Sequence, residues 1–155
     1  MDSTTPIVIC PNGTSGEVVE IGDILIALPA KPKSVYKRSK KKSEQYWERL
    51  PIPEEIRRIK SMDEWLEMPR EFRSKYSPYI EEEFKRRRDG FWFMNNGVAT
   101  YITGRHYMTL QWSRFDIGSP DYLDFQRKIF IHFAACEADS RCIGQLYVKC
   151  RRSGY

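Results

Sequence analysis

The chain has 155 residues, of which 41% are hydrophobic, enough for one modest core or for part of a larger domain. Lysine and arginine outnumber aspartate and glutamate by 26 to 21, and the resulting charge of +5 favours polyanionic partners. No secretory signal pattern is present, and no apolar run approaches the roughly 20 residues that span a bilayer, so we expect neither secretion nor a membrane partner.

The cysteines do not have the spacing of a zinc site. Cys10, Cys136, Cys142 and Cys150 include no CxxC pair, and no histidine lies at zinc-finger spacing from any of them. We therefore expect no zinc site, and thiols that stay reduced in a cytosolic protein.

The first 30 residues predict a small β unit. Two runs rich in isoleucine and valine, at residues 6–10 and 17–28, are separated by a Pro-Asn-Gly turn signal. Proline, lysine and serine then dominate, which predicts a basic linker or arm over residues 31–52. Two interpretations stay open for it: a plain linker, or an arm that contacts DNA. The candidate contacts are Lys37, Arg38, Lys40, Lys41 and Lys42.

Residues 53–118 predict a helical segment followed by an aromatic β-hairpin. Pro53 opens a first helix, Ser61 caps a second, and Ser77-Pro78 starts a third that stops before Gly90. Acidic residues fill the start of this third helix and the basic run 85–88 fills its end, as the helix dipole favours. The basic run is either such a solvated helix face or a nucleic-acid site.

The hairpin is indicated by two β-prone runs, 91–94 and 98–102, around an Asn-Asn-Gly turn. Aromatic residues are dense from here to residue 115. They either fill the core of a small sheet or stack on the bases of a single-stranded nucleic acid beside Arg105 and Arg114.

A helix and a buried strand are predicted at the end of the chain. Apolar residues recur at a helical period over residues 121–138, and a short apolar run, 142–148, is typical of a strand in a parallel sheet. A basic, glycine-containing stretch follows. This is the setting in which nucleotide-binding loops hold phosphates, although a strand with a solvated basic tail has the same pattern.

Residues 121–155 resemble the start of the ATPase domain in large terminase subunits of tailed phages. Residues 124–127, D-F-Q-R, are similar to the D-Y-Q-R motif on the helix before the first ATPase strand. The resemblance implies that Gln126 reads the adenine, with Arg127 beside it, and a glutamine amide can pair with an adenine edge. The alternative is an exposed helix glutamine.

The last seven residues, K-C-R-R-S-G-Y, resemble the deviant Walker A loop K-S-A-R-V-G-Y-S of lambda-like terminases, in which the lysine precedes the loop. The resemblance implies that Lys149 contacts phosphate, Arg152 is the loop arginine and Gly154 permits close backbone approach. Arg151 and Ser153 complete the implied nucleotide-binding residues. The hydroxyl residue that ligates Mg²⁺ is expected after Tyr155.

Residues 91–117 also resemble, in their overall pattern of residue types, the region ahead of the ATPase core in terminases of crAss-like phages. This resemblance assigns no role to individual residues. The likeness spans residues 90–155, and the first 60 residues resemble no known family. It implies an α+β region that leads into an α/β, P-loop NTPase domain beginning at residue 119. The implied fold class is a small N-terminal β unit, a helical segment, a β-hairpin, and then the first helix and strand of that domain.

The resemblance implies the N-terminal part of a viral large terminase subunit, the motor that uses ATP and Mg²⁺ to package double-stranded DNA into procapsids. The implied partners are that DNA, a portal protein, a small terminase subunit and copies of the same subunit in a ring, in the host cytoplasm. A C-terminal endonuclease is expected in the intact subunit, and this segment alone is expected to be inactive. The alternatives are a stand-alone nucleic-acid-binding module and a virion adaptor protein.

Overall fold

The structure, a computed structural model, describes residues 5–9, 15–37, 47–116 and 118–148. Over these ranges the chain is a mixed α+β fold with five helices and two small sheets. The first sheet contains β1 (Ile7–Val8), β2 (Ser15–Ile21) and β3 (Ile24–Pro29) in the order β1-β3-β2. β2 and β3 are antiparallel, whereas β1 runs parallel to β3. The predicted N-terminal β unit is therefore confirmed.

Three helices follow: α1 (Glu54–Arg58), α2 (Met62–Glu67) and α3 (Arg70–Asp89). The predicted helix starts at Pro53 and Ser61 are confirmed, and the Ser61 hydroxyl accepts a hydrogen bond from the Glu64 amide at 3.1 Å.

The predicted start of the third helix at Pro78 is wrong, because α3 runs through this proline. A proline inside a helix removes one backbone hydrogen bond and costs about 3 kcal/mol. Packing on the N-terminal side offsets that cost. Tyr76 is buried, its ring lies 4.8 Å from that of Phe72, and Phe72 in turn contacts Trp65 of α2.

The predicted hairpin is confirmed as β4 (Phe91–Asn95) and β5 (Val98–Ile102). Asn96 and Gly97 both have positive φ, 50° and 81°, as the tight turn of a two-residue hairpin requires. Gly90, also at positive φ, ends α3 directly before β4.

Helix α4 (Gly104–Trp112) has no counterpart in the sequence prediction. The Thr103 hydroxyl caps it by accepting from the His106 amide at 3.3 Å. A Cβ on Gly104 would lie 1.8 Å from the carbonyl oxygen of Arg87, so α4 begins in backbone contact with the end of α3. Only glycine permits that contact.

Helix α5 (Asp124–Ala138) confirms the last predicted helix, with a start three residues later than predicted. The predicted strand over residues 142–148 is wrong, because this segment is irregular and Leu146 and Val148 are 89% and 92% exposed. A buried strand needs hydrogen-bonded neighbours, and the described residues place none beside it.

The hairpin β4–β5 separates two hydrophobic clusters, because alternate residues of a strand point to opposite faces. On one face Phe93 and Ile102 join the cluster of Trp47, Leu50, Tyr107, Leu110 and Tyr122. On the other face Trp92 and Tyr101 join the cluster of Ile26, Leu28, Ile131 and Ala135. The interpretation of the hairpin aromatics as core residues is therefore confirmed, and β3, the hairpin and α5 share one core.

His106 of α4 is fully buried between two rings, 5.8 Å from Tyr122 and 4.6 Å from Phe130 by ring centroids. Neither ring nitrogen has a hydrogen-bond partner among the described residues. Burial, with a smaller contribution from the charge of Arg127, lowers the pKa of His106 from 6.5 to about 3. The imidazole is therefore neutral in the folded protein.

We expect acid to destabilise the fold through His106. The unfolded chain binds a proton below the ordinary histidine pKa of 6.5, whereas the folded chain does so only near 3, so stability present above pH 6.5 is lost as the pH falls. Between pH 7.5 and 5 the contribution to the free energy of unfolding should fall by about 2 kcal/mol. Urea unfolding of wild type and His106→Phe at both pH values measures it. An unchanged pH dependence in His106→Phe would contradict the assignment.

The contact between α3 and α4 predicts that Gly104→Ala is destabilising, although alanine ordinarily favours helices. The added methyl group would overlap the Arg87 carbonyl and push the helices apart, at a cost of about 1–3 kcal/mol. Gly144→Ala is the matched control, because its Cβ would meet no atom within 4 Å. Thermal unfolding that gives both variants the same stability would show that the helices do not meet here.

Candidate nucleotide site

Helix α5 carries the two site residues of the D-F-Q-R motif in its first turn. Pro120 precedes the helix, and Asp124 lies at its positive end, where a carboxylate is favoured. Gln126 is half-buried and makes a contact of its own.

Arg127 joins α5 to the hairpin. Its Nε donates to the carbonyl oxygen of Tyr101 at 2.7 Å, and the side chain is half-buried. A charged donor on a backbone carbonyl is one of the stronger hydrogen bonds in a protein. The structure thus gives Arg127 a structural contact, and the nucleotide role implied by the resemblance would be additional to it.

The segment after α5 turns and runs back along the helix. The Cys142 amide donates to the Asp139 carbonyl at 2.9 Å, and Arg141 forms an ion pair with the Asp139 carboxylate at 2.6 Å. This ion pair lowers the pKa of Asp139 to about 2. Farther along, Gln145 Nε2 donates to the Phe133 carbonyl at 3.3 Å. Successive residues of the segment therefore contact positions that lie progressively closer to the start of α5.

The next contact continues the same direction. The Tyr147 hydroxyl lies 3.0 Å from Nδ1 of His132, one residue before Phe133 in the helix. Ile143, Leu146 and Val148 meanwhile remain exposed. Apolar side chains therefore face solvent on a segment that is held against α5 by polar side chains.

Most of the other predicted site residues lie outside the described part of the chain. Lys37 is exposed at the end of the described stretch 15–37. The remaining arm residues, Arg38, Lys40, Lys41 and Lys42, lie outside it, as do the loop residues Lys149, Arg151, Arg152, Ser153 and Gly154. Of the implied nucleotide site, the structure therefore describes Gln126 and Arg127, which are neighbours on α5.

The described residues hold no group of three or more histidine, cysteine, aspartate or glutamate side chains that could bind a metal ion. Of the helices within the same ranges, none combines the length and apolar character that crossing a membrane requires.

A buried carboxylate on α3 has no counterpart among the residues singled out from the sequence. Glu83 is 6% exposed and accepts hydrogen bonds from the Tyr107 hydroxyl at 2.7 Å and from Nε1 of Trp112. Arg87 adds a third donor, its Nε, at 3.0 Å. The spacing of Glu83 and Arg87, one helical turn, could have indicated this pair, but Tyr107 and Trp112 are distant in sequence.

Burial, with Glu83 beside the hydroxyl, raises the pKa of Tyr107, so this hydroxyl remains a donor at neutral pH. The basic run that contains Arg87 is predicted from the sequence to be either a dipole-matched face or a nucleic-acid site. The structure gives Arg86 and Arg87 ion pairs with Glu83 in the same helix, at 3.7 and 3.0 Å.

Comparison with protein families, curated proteins and solved structures finds no match to this chain.

Proposed function

We propose that this chain is the N-terminal part of a viral large terminase subunit, the ATP-driven motor that packages double-stranded DNA into procapsids. The observation that carries the proposal is the course of residues 142–148 beside α5. These residues come shortly after α5 in the sequence and run back along it. The motif implied to bind adenine lies at the start of α5, and the motif implied to bind phosphate comes directly after residue 148.

A helix followed by a tight turn and an apolar segment running back along it is the αβ unit from which α/β domains are built. In such a unit further strands of a parallel sheet cover the apolar side chains of the segment. Ile143, Leu146 and Val148 are exposed apolar side chains that such neighbours would cover.

In the proposed site the Gln126 amide pairs with the adenine edge and Lys149 places its ammonium on the phosphates. Arg151, Arg152 and Ser153 line the loop, and Gly154 lets its backbone approach closely. ATP with Mg²⁺ supplies the phosphoryl transfer that drives packaging. The proposed partners are double-stranded DNA, the portal protein, the small terminase subunit and copies of the same subunit in a ring, in the host cytoplasm.

The phosphate role of Lys149 is tested in the complete subunit. Lys149→Ala should lower the rate of ATP hydrolysis about 100-fold or more, because the loop loses the charge that stabilises the developing negative charge on the phosphates. Lys128→Ala, which removes an exposed lysine from α5, is the control and should hydrolyse ATP normally. Steady-state phosphate release measures both. Equal rates for the two variants would remove Lys149 from the site.

The adenine role of Gln126 is tested by comparing two ligands in that subunit. Gln126→Ala should weaken ATP binding about tenfold, since it removes the paired hydrogen bonds to the base edge, and should leave tripolyphosphate binding unchanged. Isothermal titration calorimetry gives both dissociation constants. An equal reduction for the two ligands would identify Gln126 as a structural residue.

A further inference from the structure

Three arginines line a cavity whose lining includes neither Gln126 nor Arg127. The cavity has a volume of about 290 Å³ and lies where the end of α3 meets the start of α4 and the side of α5. Its charged lining consists of Arg87, Arg88, Arg105 and Glu137, which is three positive charges against one negative. Guanidinium groups recognise the oxygens of phosphate groups.

Two of these arginines form ion pairs and remain exposed. Arg88 pairs with Asp89 at 2.7 Å and Arg105 pairs with Glu137 at 2.6 Å, and the two arginine side chains are 67% and 61% exposed. Both partners of the Arg105–Glu137 pair are exposed, so this pair contributes little to stability and a phosphate can replace its carboxylate at little cost. Arg88 stays open to a phosphate beside the Asp89 carboxylate, which is 13% exposed. Arg87, by contrast, is held by the buried Glu83 carboxylate.

Arg87 connects the cavity to a surface of exposed aromatic rings. Its guanidinium lies 4.8 Å from the ring centroid of Trp112 and 5.7 Å from that of Phe84. Phe84 is 60% exposed, and Trp112, whose indole N–H is bonded to Glu83, is 36% exposed. Positive charge and open rings therefore adjoin on one face of α3 and α4.

We propose that this face, defined as Phe84, Arg88, Arg105 and Trp112, binds a single-stranded nucleic acid. Arg88 and Arg105 contact successive phosphates, and Phe84 and Trp112 stack on the bases. A single strand fits better than a duplex, since only unstacked bases offer their faces to rings. The face shares no residue with the proposed nucleotide site, so a test of this inference is independent of a test of the motor function.

The phosphate contacts are tested by fluorescence anisotropy with a labelled 20-nucleotide oligothymidine between 50 and 200 mM salt. The double variant Arg88→Gln/Arg105→Gln should bind at least tenfold more weakly. The slope of log affinity against log salt should fall by about 0.7 for each phosphate that is no longer neutralised. Arg57→Gln/Arg58→Gln removes the same charge from exposed arginines that pair with Glu54 on α1, and should bind like wild type. Equally weak binding by the two double variants would reduce the effect to net charge and overturn the proposal.

The stacking contact is tested with Phe84→Ala, which should weaken binding about tenfold, whereas Leu66→Ala, another exposed apolar side chain, should not. Arg88→Lys/Arg105→Lys should restore part of the affinity, which separates removal of charge from disruption of the fold. Tighter binding of a 20-base-pair duplex that is insensitive to Phe84→Ala would overturn the single-strand assignment. Binding of inorganic phosphate that requires Arg88 and Arg105, with no oligonucleotide binding, would do the same.

Discussion

The position of α4 depends on one buried carboxylate, that of Glu83 on α3. A carboxylate out of water is costly unless its oxygens accept hydrogen bonds, and Glu83 accepts them from two residues of α4, Tyr107 and Trp112. This bonding fixes which side of α4 faces inward. Leu110 and His106 consequently enter the core, while Arg105 faces solvent beside the end of α3.

The features of the fold that could be predicted from the sequence are those with local chemical causes. The Asn96-Gly97 turn needs positive φ, which few residues adopt. The Ser61 cap needs a side chain that accepts a hydrogen bond from the first turn of the helix. Features with distant causes could not be read in this way. Helix α3 passes through Pro78 because packing around Tyr76 outweighs the local preference, and α4 lies in an aromatic stretch and packs on α3 through Glu83.

In the candidate site, too, the features with local causes could be predicted from the sequence and those with distant causes could not. Helical periodicity places Gln126 and Arg127 side by side in α5, as the structure does. The bond from Arg127 to the Tyr101 carbonyl spans 26 residues of sequence and has no local signal. Residues 142–148 have the composition of a buried strand, yet a strand exists only where neighbours bond to it, and composition does not report their presence. The arginine-lined cavity likewise arises from three separate helices.

The basic stretch is tethered at both of its ends to the same strand. The Tyr36 carbonyl accepts from the Met94 amide at 2.8 Å, and the Trp47 ring packs edge-on against Phe93 at 5.2 Å. Leu50 is then held by two hydrogen bonds between its backbone and the Gln111 side chain, at 2.8 and 3.0 Å. Both described flanks therefore depend on β4, and a change that disrupts this strand would remove both anchors at once.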